Sequence, residues 1–177
     1  MPTSDNELIA GFLSGDQRAA DVLIRRYQSP IRQFLRRLTA GDHALADDMA
    51  QETFIRMLST LHTFRGDASL STWLHTVAYR QFLRHVQTNA RLLYVEEGEA
   101  AVEASCDSSA MSDVLLEQIM RHLTINERLV LTLCFSAGMS HGEIADVTGL
   151  PLGTIKSHIT RSRKKLARLL DIEEDTL

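Results

Sequence analysis

The chain has 177 residues, 44% of them hydrophobic, and its 19 Lys and Arg against 23 Asp and Glu give a formal net charge of −4 at pH 7. This composition is typical of one or two globular domains, and the absence of any run of about 20 apolar residues argues against a membrane-spanning protein. Its two cysteines, Cys106 and Cys134, cannot build a disulfide framework, and its first residues lack the pattern of a secretory signal, so we expect a cytoplasmic protein without membrane insertion of its own.

The first half of the chain predicts an all-α domain. Apolar residues recur at spacings of three and four, and the alternation typical of strands is absent. Asp5 and Asp16 are the candidate N-caps of a short helix and a longer one. Ser29-Pro30 is expected to restart the chain, because Pro fits the first turn of a helix and not its interior. Gly41 is expected to end that segment.

Two further helices are predicted before residue 93. The first begins at the N-cap Asp42 and buries an apolar stripe made up of Leu45, Met49, Phe54, Met57, Leu58 and Leu61. Its opposite face is polar and carries Asp47, Asp48, Gln51, Glu52 and Arg56. A loop containing Gly and Ser follows at 62–71, and Ser71 is expected to cap the next helix, at 72–89.

Charge divides the chain into blocks. Residues 1–93 carry 11 basic and 9 acidic side chains, and residues 121–170 carry 8 basic and 3 acidic ones. The two remaining blocks contain no basic residue: 94–120 carry 7 acidic side chains and 171–177 carry 4. The stretch 94–111 has few large apolar residues and can bury too little surface to offset its ordering entropy. We therefore predict two small helical domains, at 1–93 and 112–170, joined by a flexible acidic linker at 94–111 and followed by an acidic tail at 171–177. The basic second domain makes nucleic acid the first partner to test.

Four helices are predicted in the second domain, with clear start and stop signals. Ser112 is expected to cap the first helix. Capping boxes, in which the side chains of the first and fourth residues satisfy each other's backbone amides, open the second and third helices at 124–127 and 140–143. Gly138 and Gly149 are expected to close these two helices.

The last two predicted helices have the layout of a helix-turn-helix. A tight turn at 150–153 precedes the final helix, which Thr154 is expected to cap and which runs to about Leu170. One face carries the apolar stripe Ile155, Ile159, Ser162, Leu166 and Leu169. The opposite face is rich in hydrogen-bond donors, and residues 151–170 contain 6 basic residues and no acidic one. Because base edges are read by Arg, Lys, Ser and Thr, and phosphates by positive charge, this pattern favours DNA binding over a bundle with a solvated basic face.

Two parts of the chain resemble the extracytoplasmic-function (ECF) sigma factors of bacterial RNA polymerase. The segment GEIADVTGLPLGTIKSHITRSRKKL at 142–166 is similar to their carboxy-terminal DNA-binding domain. The segments LADDMAQETFIRML at 45–58 and FRGDASLSTWLHTVAYR at 64–80 are similar to their amino-terminal domain. The resemblance implies a protein without a catalytic site or cofactor, which binds core polymerase, places it at a promoter and helps to open the duplex.

The resemblance also implies a role for individual residues. The final helix would bind the −35 element through Thr154, Lys156, Ser157, Thr160, Arg161, Arg163, Lys164 and Arg168. The loop and the helix after it would capture a flipped base of the −10 element through Phe64, Arg65, Asp67, Ser69, Thr72, Trp73 and Arg80. The clamp helices of core polymerase would meet Asp47, Asp48, Gln51, Glu52 and Arg56. Trp73 is expected to pack in the core rather than to stack on a base, and Tyr79 is a further aromatic side chain near this region. Promoter DNA, core polymerase and an anti-sigma factor are therefore the expected partners.

Two other function classes have their own sequence signals. An enzyme could hold a divalent cation on Asp47, Asp48 and Glu52, but hard cations need ligands from more than one element, and the 7 histidines form no HxxxH or HExxH pattern. We therefore expect no catalytic residue, no metal and no cofactor. The second class is a dimeric ligand-responsive helix-turn-helix regulator that binds a palindrome without polymerase. Co-purification with core polymerase distinguishes it from a sigma factor.

Overall fold

The computed structural model describes residues 4–90 and 115–170. All regular elements in these two ranges are helical, and they form two domains, which confirms the predicted fold class. The linker 94–111, the predicted cap Ser112, Cys106 and the tail 171–177 lie outside the described residues. Within the described ranges, no helix is long and apolar enough to cross a membrane.

The first domain contains four α-helices and a short 3₁₀ turn. They are α1 (Asp5–Leu13), α2 (Gln17–Leu38), α3 (His43–Thr60), the 3₁₀ turn (Leu61–Thr63) and α4 (Leu70–Ala90). Helix α2 supplies much of the core, because Ile31, Phe34 and Leu35 are completely buried. Burial of a side chain of this size stabilises a fold by about 1.5–3 kcal/mol. The predicted cap Asp42 and the buried stripe of α3 are confirmed, with Met49, Phe54 and Met57 in the core.

The second domain contains four α-helices and a π turn. They are α5 (115–120), α6 (Ile125–Leu131), the π turn (Thr132–Ser136), α7 (His141–Thr148) and α8 (Leu152–Leu170). Both predicted capping boxes are present, at the start of α6 and at the start of α7. Gly149 ends α7 with a φ of 72°, a left-handed conformation that glycine adopts at little cost. Ile144 and Ile155 are fully buried between the two helices of the helix-turn-helix.

The predicted restart at Ser29-Pro30 is wrong. Helix α2 is continuous from Gln17 to Leu38 with Pro30 inside it. An interior proline costs about 3 kcal/mol or more, because it removes a backbone hydrogen bond and its ring crowds the preceding turn. The apolar residues that α2 buries on both sides of Pro30, from Leu23 to Leu38, outweigh that cost.

Three predicted helix starts are shifted. Ser4, rather than Asp5, caps α1, in a capping box with Glu7. Helix α4 begins two residues early, because the amide of Thr72 donates to Ser69 Oγ at 3.0 Å, so Ser69 does the capping expected of Ser71. Helix α8 also begins early, at Leu152, so Thr154 lies in its first turn.

Burial distinguishes two further side chains, Leu169 of the predicted apolar stripe and the aromatic Tyr79. Leu169, predicted to end the apolar stripe of α8, is 47% exposed, because the packing of α8 ends near Leu166 and Ala167. Tyr79 is buried in the first domain at 4% exposure, and burial raises the pKa of its hydroxyl. It is therefore unsuited to stacking on a base at the surface.

The two domains contact each other around the carboxyl end of α2. Arg128 Nη1 donates to the carbonyl of Leu38 at 3.1 Å, and Arg121 Nε donates to the carbonyl of Ala40 at 3.0 Å. His43 Nε2 lies 2.7 Å from Glu117 Oε2. One apolar core cluster extends from the first domain into the second.

Candidate nucleic-acid interface

The outer face of α8 presents a continuous set of donors. Six of the predicted residues are exposed together along this face: Lys156, Ser157, Thr160, Arg161, Lys164 and Arg168. The hydroxyls of Ser157 and Thr160 donate back to the helix, to the carbonyls of Gly153 at 2.8 Å and Lys156 at 3.0 Å. These bonds hold both hydroxyls close to the helix while their oxygens can still accept. A helix with this face fits the major groove of a duplex.

Two further residues predicted for this face have partners within the second domain. The amide of Thr154 donates to the carbonyl of Pro151 at 2.9 Å, so it is engaged within the first turn of α8 rather than offered to a phosphate. Arg163 is half-buried and lines an apolar pocket with Met120, Phe135 and Leu166. The sequence periodicity of α8 did not reveal this, because the pocket wall comes from α5 and the π turn.

Lys165 is basic but is paired within the second domain. Its Nζ donates to both carboxylate oxygens of Glu127, at 3.0 and 2.7 Å, and the Glu127 side chain is only 4% exposed. Burial alone would raise the pKa of Glu127, but the bonds from Lys165 and Thr124 outweigh it and hold that pKa below its ordinary value. This ion pair joins α6 to α8 and orients the outer face of α8.

A cleft in the first domain collects most of the residues predicted for the −10 element. Its volume is about 290 Å³, and five predicted residues line it: Phe64, Arg65, Asp67, Thr72 and Trp73. The rings of Phe64 and Trp73 meet edge to face, with their centroids 5.7 Å apart. Trp73 is half-buried, so its ring packs on the core and also forms a wall of the cleft. Aromatic walls and polar groups around a small cleft are what an unstacked base requires.

The far wall of this cleft belongs to the second domain. Glu143, Asp146 and Val147 of α7 line the side opposite the loop. The bonds that Ser140 donates to the Glu143 carboxylate lower the pKa of Glu143, so this wall carries negative charge at neutral pH. The sequence gives no signal of this contact, because the two walls are about 70 residues apart in the chain.

Ser69 and Arg80 lie away from the cleft. The hydroxyl of Ser69 caps α4 and lies 2.9 Å from the hydroxyl of Thr72. Arg80 is exposed on a second groove, between α3 and α4, which also contains Arg56.

The outward face of α3 is acidic with one apolar side chain. Asp48, Gln51 and Glu52 are exposed together, as predicted. Asp47 instead lies towards α2, with its carboxylate 3.6 Å from Arg32 and 3.7 Å from Arg36. Ile55 is 69% exposed and was not among the predicted residues. Its one sequence signal is an isoleucine on the polar side of an amphipathic helix.

A metal centre is not assembled in the parts of the chain that the structure describes. Within residues 4–90 and 115–170, no group of three His, Cys, Asp or Glu side chains converges as a metal ligand set would. The three carboxylates considered for a cation point different ways. Asp47 lies near Arg32 of α2, while Asp48 and Glu52 are exposed on the outward face of α3.

Comparison with known proteins identifies the family. Residues 23–92 match the family model of sigma-70 region 2, and residues 113–166 match that of sigma-70 region 4. The ECF sigma factor SigC of Mycobacterium tuberculosis is 30% identical, over 98% of this chain and 96% of its own. The ECF sigma-E factor of Escherichia coli is also 30% identical, over 92% of each chain. This chain belongs to the ECF sigma factors of bacterial RNA polymerase.

Solved structures agree with this assignment. The sigma factor has a TM-score of 0.66 and 27% identity to CnrH in complex with the cytosolic domain of CnrY, covering 94% of this chain and 97% of CnrH. Its fold is also that of RpoE from Bartonella quintana, solved with the anti-sigma factor NepR, at a TM-score of 0.71 and 22% identity over 86% of this chain and 97% of RpoE. The family comprises non-catalytic transcription initiation factors, so the chain acts with RNA polymerase and promoter DNA. Because both domains match in order, the alternative of a dimeric regulator that acts without polymerase is not favoured.

Proposed function

We propose that this sigma factor divides its work between two faces of opposite charge. The outer face of α8 reads the −35 element, and the outward face of α3 binds the clamp helices of core polymerase. The observation that carries the proposal is this contrast: Lys156, Arg161 and Arg168 are exposed on α8, while Asp48 and Glu52 are exposed on α3. The negative charge of a duplex attracts the basic face of α8 and repels the acidic face of α3, so DNA should bind α8 rather than α3.

On α8, we propose base contacts near the start of the helix and phosphate contacts further along. Lys156, Ser157, Thr160 and Arg161 would meet base edges, and Lys164 and Arg168 the backbone. Thr154 and Arg163 would act indirectly, through the first turn of α8 and through its packing.

In the first domain, we propose that the cleft beside Trp73 takes a base of the −10 element. Phe64 and Trp73 would form its aromatic walls, and Arg65, Asp67 and Thr72 its polar edge. Ser69 would hold the start of α4 in place. On α3, Asp48, Gln51 and Glu52 would surround Ile55 at the polymerase interface, because an apolar side chain ringed by polar ones is typical of binding hot spots.

The division into domains follows the same proposal. Residues 1–93 would bind polymerase and the −10 element, 94–111 would connect the domains, 112–170 would bind the −35 element, and 171–177 would form an acidic tail. The matched ranges, 23–92 and 113–166, support these boundaries. We further propose that the protein is not an enzyme, acts in the cytoplasm beside polymerase, and has an anti-sigma partner, since RpoE from Bartonella quintana, which shares its fold, was solved with the anti-sigma factor NepR.

Run-off transcription tests the proposal. The purified chain is mixed with core polymerase and a library of randomised promoters, and enriched start sites are sequenced. We expect stable association with polymerase and one enriched pair of promoter elements. Glu52→Lys should reduce association, whereas Arg161→Ala should leave association intact and alter the enriched −35 sequence. A wild-type chain that neither associates with polymerase nor selects a start site would contradict the proposal.

A further inference from the structure

A polar cavity between the two domains has no role in the function proposed above. It lies where α2 of the first domain faces α5 of the second, and its volume is about 280 Å³. One side of α2 supplies most of its wall, including Ser29, Arg32, Gln33, Arg36 and Arg37. These positions are three and four residues apart, so the polar groups of the cavity are held by one side of a single helix.

Arg32 and Arg36 have donors that the described parts of the chain do not use. Both guanidinium groups approach the same carboxylate oxygen, Asp47 Oδ1, which lies 3.6 Å from Arg32 Nε and 3.7 Å from Arg36 Nη2. These separations are too long for hydrogen bonds, so Asp47 attracts the two arginines by charge alone. The Nε of Arg36 is buried and has no hydrogen-bond partner among the described residues. Buried donors without an acceptor are rare in folded proteins, and an oxygen of a bound ligand would satisfy this one.

Positive charge exceeds negative charge around the cavity. Among the described residues that line it, Glu117 is the one acidic side chain, and its Oε2 lies 2.7 Å from His43 Nε2. Arg37 adds a third guanidinium group to the wall, while its Nη1 donates to the hydroxyl of Ser136 in the second domain. Even with Asp47 counted, three guanidinium groups face two carboxylates. The cavity therefore attracts an anion.

The spacing of the arginines and the size of the cavity indicate the kind of anion. Arg32 and Arg36 are one turn apart on α2, about 6 Å along the helix axis. Each planar guanidinium fork can bind two oxygens of a phosphate group, so the pair suits two linked phosphates better than one. A volume of about 280 Å³ is near the lower end of the range for small-molecule sites. Ser29 and Gln33 add uncharged groups that can bind hydroxyls or carbonyls of the same ligand.

We infer that this cavity binds a small molecule with a diphosphate group, whose oxygens Arg32 and Arg36 hold. Inorganic pyrophosphate and a nucleoside diphosphate share this chemistry, and in the second case Ser29 and Gln33 would bind the sugar. The site is separate from the outer face of α8, the outward face of α3 and the cleft beside Trp73. Binding of this ligand requires neither polymerase nor promoter DNA.

Calorimetric titration of the full chain tests the site. The probes are inorganic pyrophosphate, ADP and sulfate, each without a divalent cation and at an ionic strength of about 0.15 M. We expect pyrophosphate and ADP to bind, and sulfate to bind at least about tenfold more weakly, because it carries less charge and cannot reach both arginines. Arg36→Ala should weaken pyrophosphate binding by about tenfold, and Arg36→Lys should restore only part of it, because a lysine keeps the charge without the fork. Arg25→Ala, which removes an exposed arginine of the same helix, is the matched control and should bind like wild type.

A variant at an exposed position keeps the test independent of folding. Gln33→Glu adds a carboxylate to the cavity wall and should weaken pyrophosphate binding by about tenfold without changing Tm. Gln17→Glu adds the same charge at the start of α2, outside the cavity, and should bind like wild type. If Arg36→Ala does not fold, this second pair of variants decides the site.

The outcomes also identify the source of the diphosphate. Tighter binding of ADP than of pyrophosphate would assign the site to a nucleotide, and the reverse order would assign it to the free ion. Equal binding of sulfate and pyrophosphate would overturn the inference, because any anion would then suffice. Failure of the wild-type chain to bind either diphosphate would also overturn it, as would equal affinities of Gln33→Glu and Gln17→Glu.

Discussion

His75 is a titratable side chain inside the core of the first domain. It is 1% exposed, its Nδ1 donates to the carbonyl of Ser71 at 2.7 Å, and its ring meets Phe34 edge to face at 4.9 Å. Burial lowers the pKa of His75 below the ordinary 6.5, although the bond to Ser71 acts in the opposite direction. The folded protein therefore holds a neutral imidazole at pH values where the unfolded chain is protonated.

The titration of His75 should make folding sensitive to mild acid. Below about pH 6.5 the unfolded state binds one more proton than the folded state, so the free energy of unfolding should fall with decreasing pH by up to about 1.4 kcal/mol per unit until the folded pKa is reached. Urea titrations between pH 7.5 and 5 measure this slope. His75→Asn, which can keep the bond to Ser71, should flatten it, whereas His62→Asn at an exposed position should not. A slope unchanged in His75→Asn would assign the effect to other groups.

Ile55 allows the proposed polymerase interface on α3 to be tested with one side chain. An aspartate there should weaken association with core polymerase by about tenfold or more, because it removes a central apolar contact and adds a carboxylate to an already acidic face. Leu13→Asp is the matched control, since Leu13 is also an exposed apolar residue, at 53%, and lies at the end of α1. Pull-down titrations with immobilised core polymerase compare the two. Equal losses would show that added negative charge, rather than the position of Ile55, decides the result.

At the scale of the element, two neighbouring lysines of α8 have different roles. Lys164 lies on the exposed donor face, and Lys165 bonds to the buried carboxylate of Glu127. Lys165→Ala should lower the free energy of unfolding by about 1–3 kcal/mol at pH 7, because it leaves that carboxylate without its strongest partner. Lys164→Ala should change stability by less than about 0.5 kcal/mol but weaken duplex binding at every sequence.

The acid dependence of this difference supplies a second check. Because the pKa of Glu127 is lowered in the folded protein, the stability from its ion pair is present above about pH 4.5 and is lost as the pH falls through the folded pKa. The difference in Tm between Lys165→Ala and wild type should therefore be smaller at pH 3.5 than at pH 7. A gap of the same size at both pH values would mean that Lys165 acts by packing alone.

Elements defined by local chemistry could be predicted, and those defined by distant packing could not. The capping boxes at 124–127 and 140–143 and the cap Asp42 depend on residues three apart, so the sequence contains their whole cause. The continuity of α2 through Pro30 depends on the burial of apolar side chains in the turns on both sides of it, and the local sequence does not specify that burial. The positions of Arg163 and Arg56 likewise follow from α5 and α4, which lie beside them only in the fold.

At the scale of the whole molecule, the domains are held together at the end of α2. The side chain of Arg128 donates to the carbonyl of Leu38, the last residue of α2, and that of Arg121 donates to the carbonyl of Ala40, just beyond it. Carbonyls at the end of a helix lack partners within the helix. Burial lowers the pKa of Arg128, and its bond to Leu38 crosses between the domains. This arrangement also places the acidic wall of α7 against the cleft that we propose takes a base. Domain contact and access to the cleft are therefore coupled.

Loosening this contact should expose the cleft. We expect the double variant Arg121→Ala/Arg128→Ala to have a larger radius of gyration than wild type in small-angle scattering, because two donors to the end of α2 are lost. It should also bind the single-stranded oligonucleotide dT12, labelled with fluorescein and measured by anisotropy, more tightly, because Glu143 and Asp146 move away from the cleft. The loss of two positive charges alone would have the opposite effect and weaken binding. The control Arg18→Ala/Arg25→Ala removes the same charge from the exposed side of α2 and should stay compact. Weaker dT12 binding in both double variants would mean that charge, and not closure by α7, governs entry to the cleft.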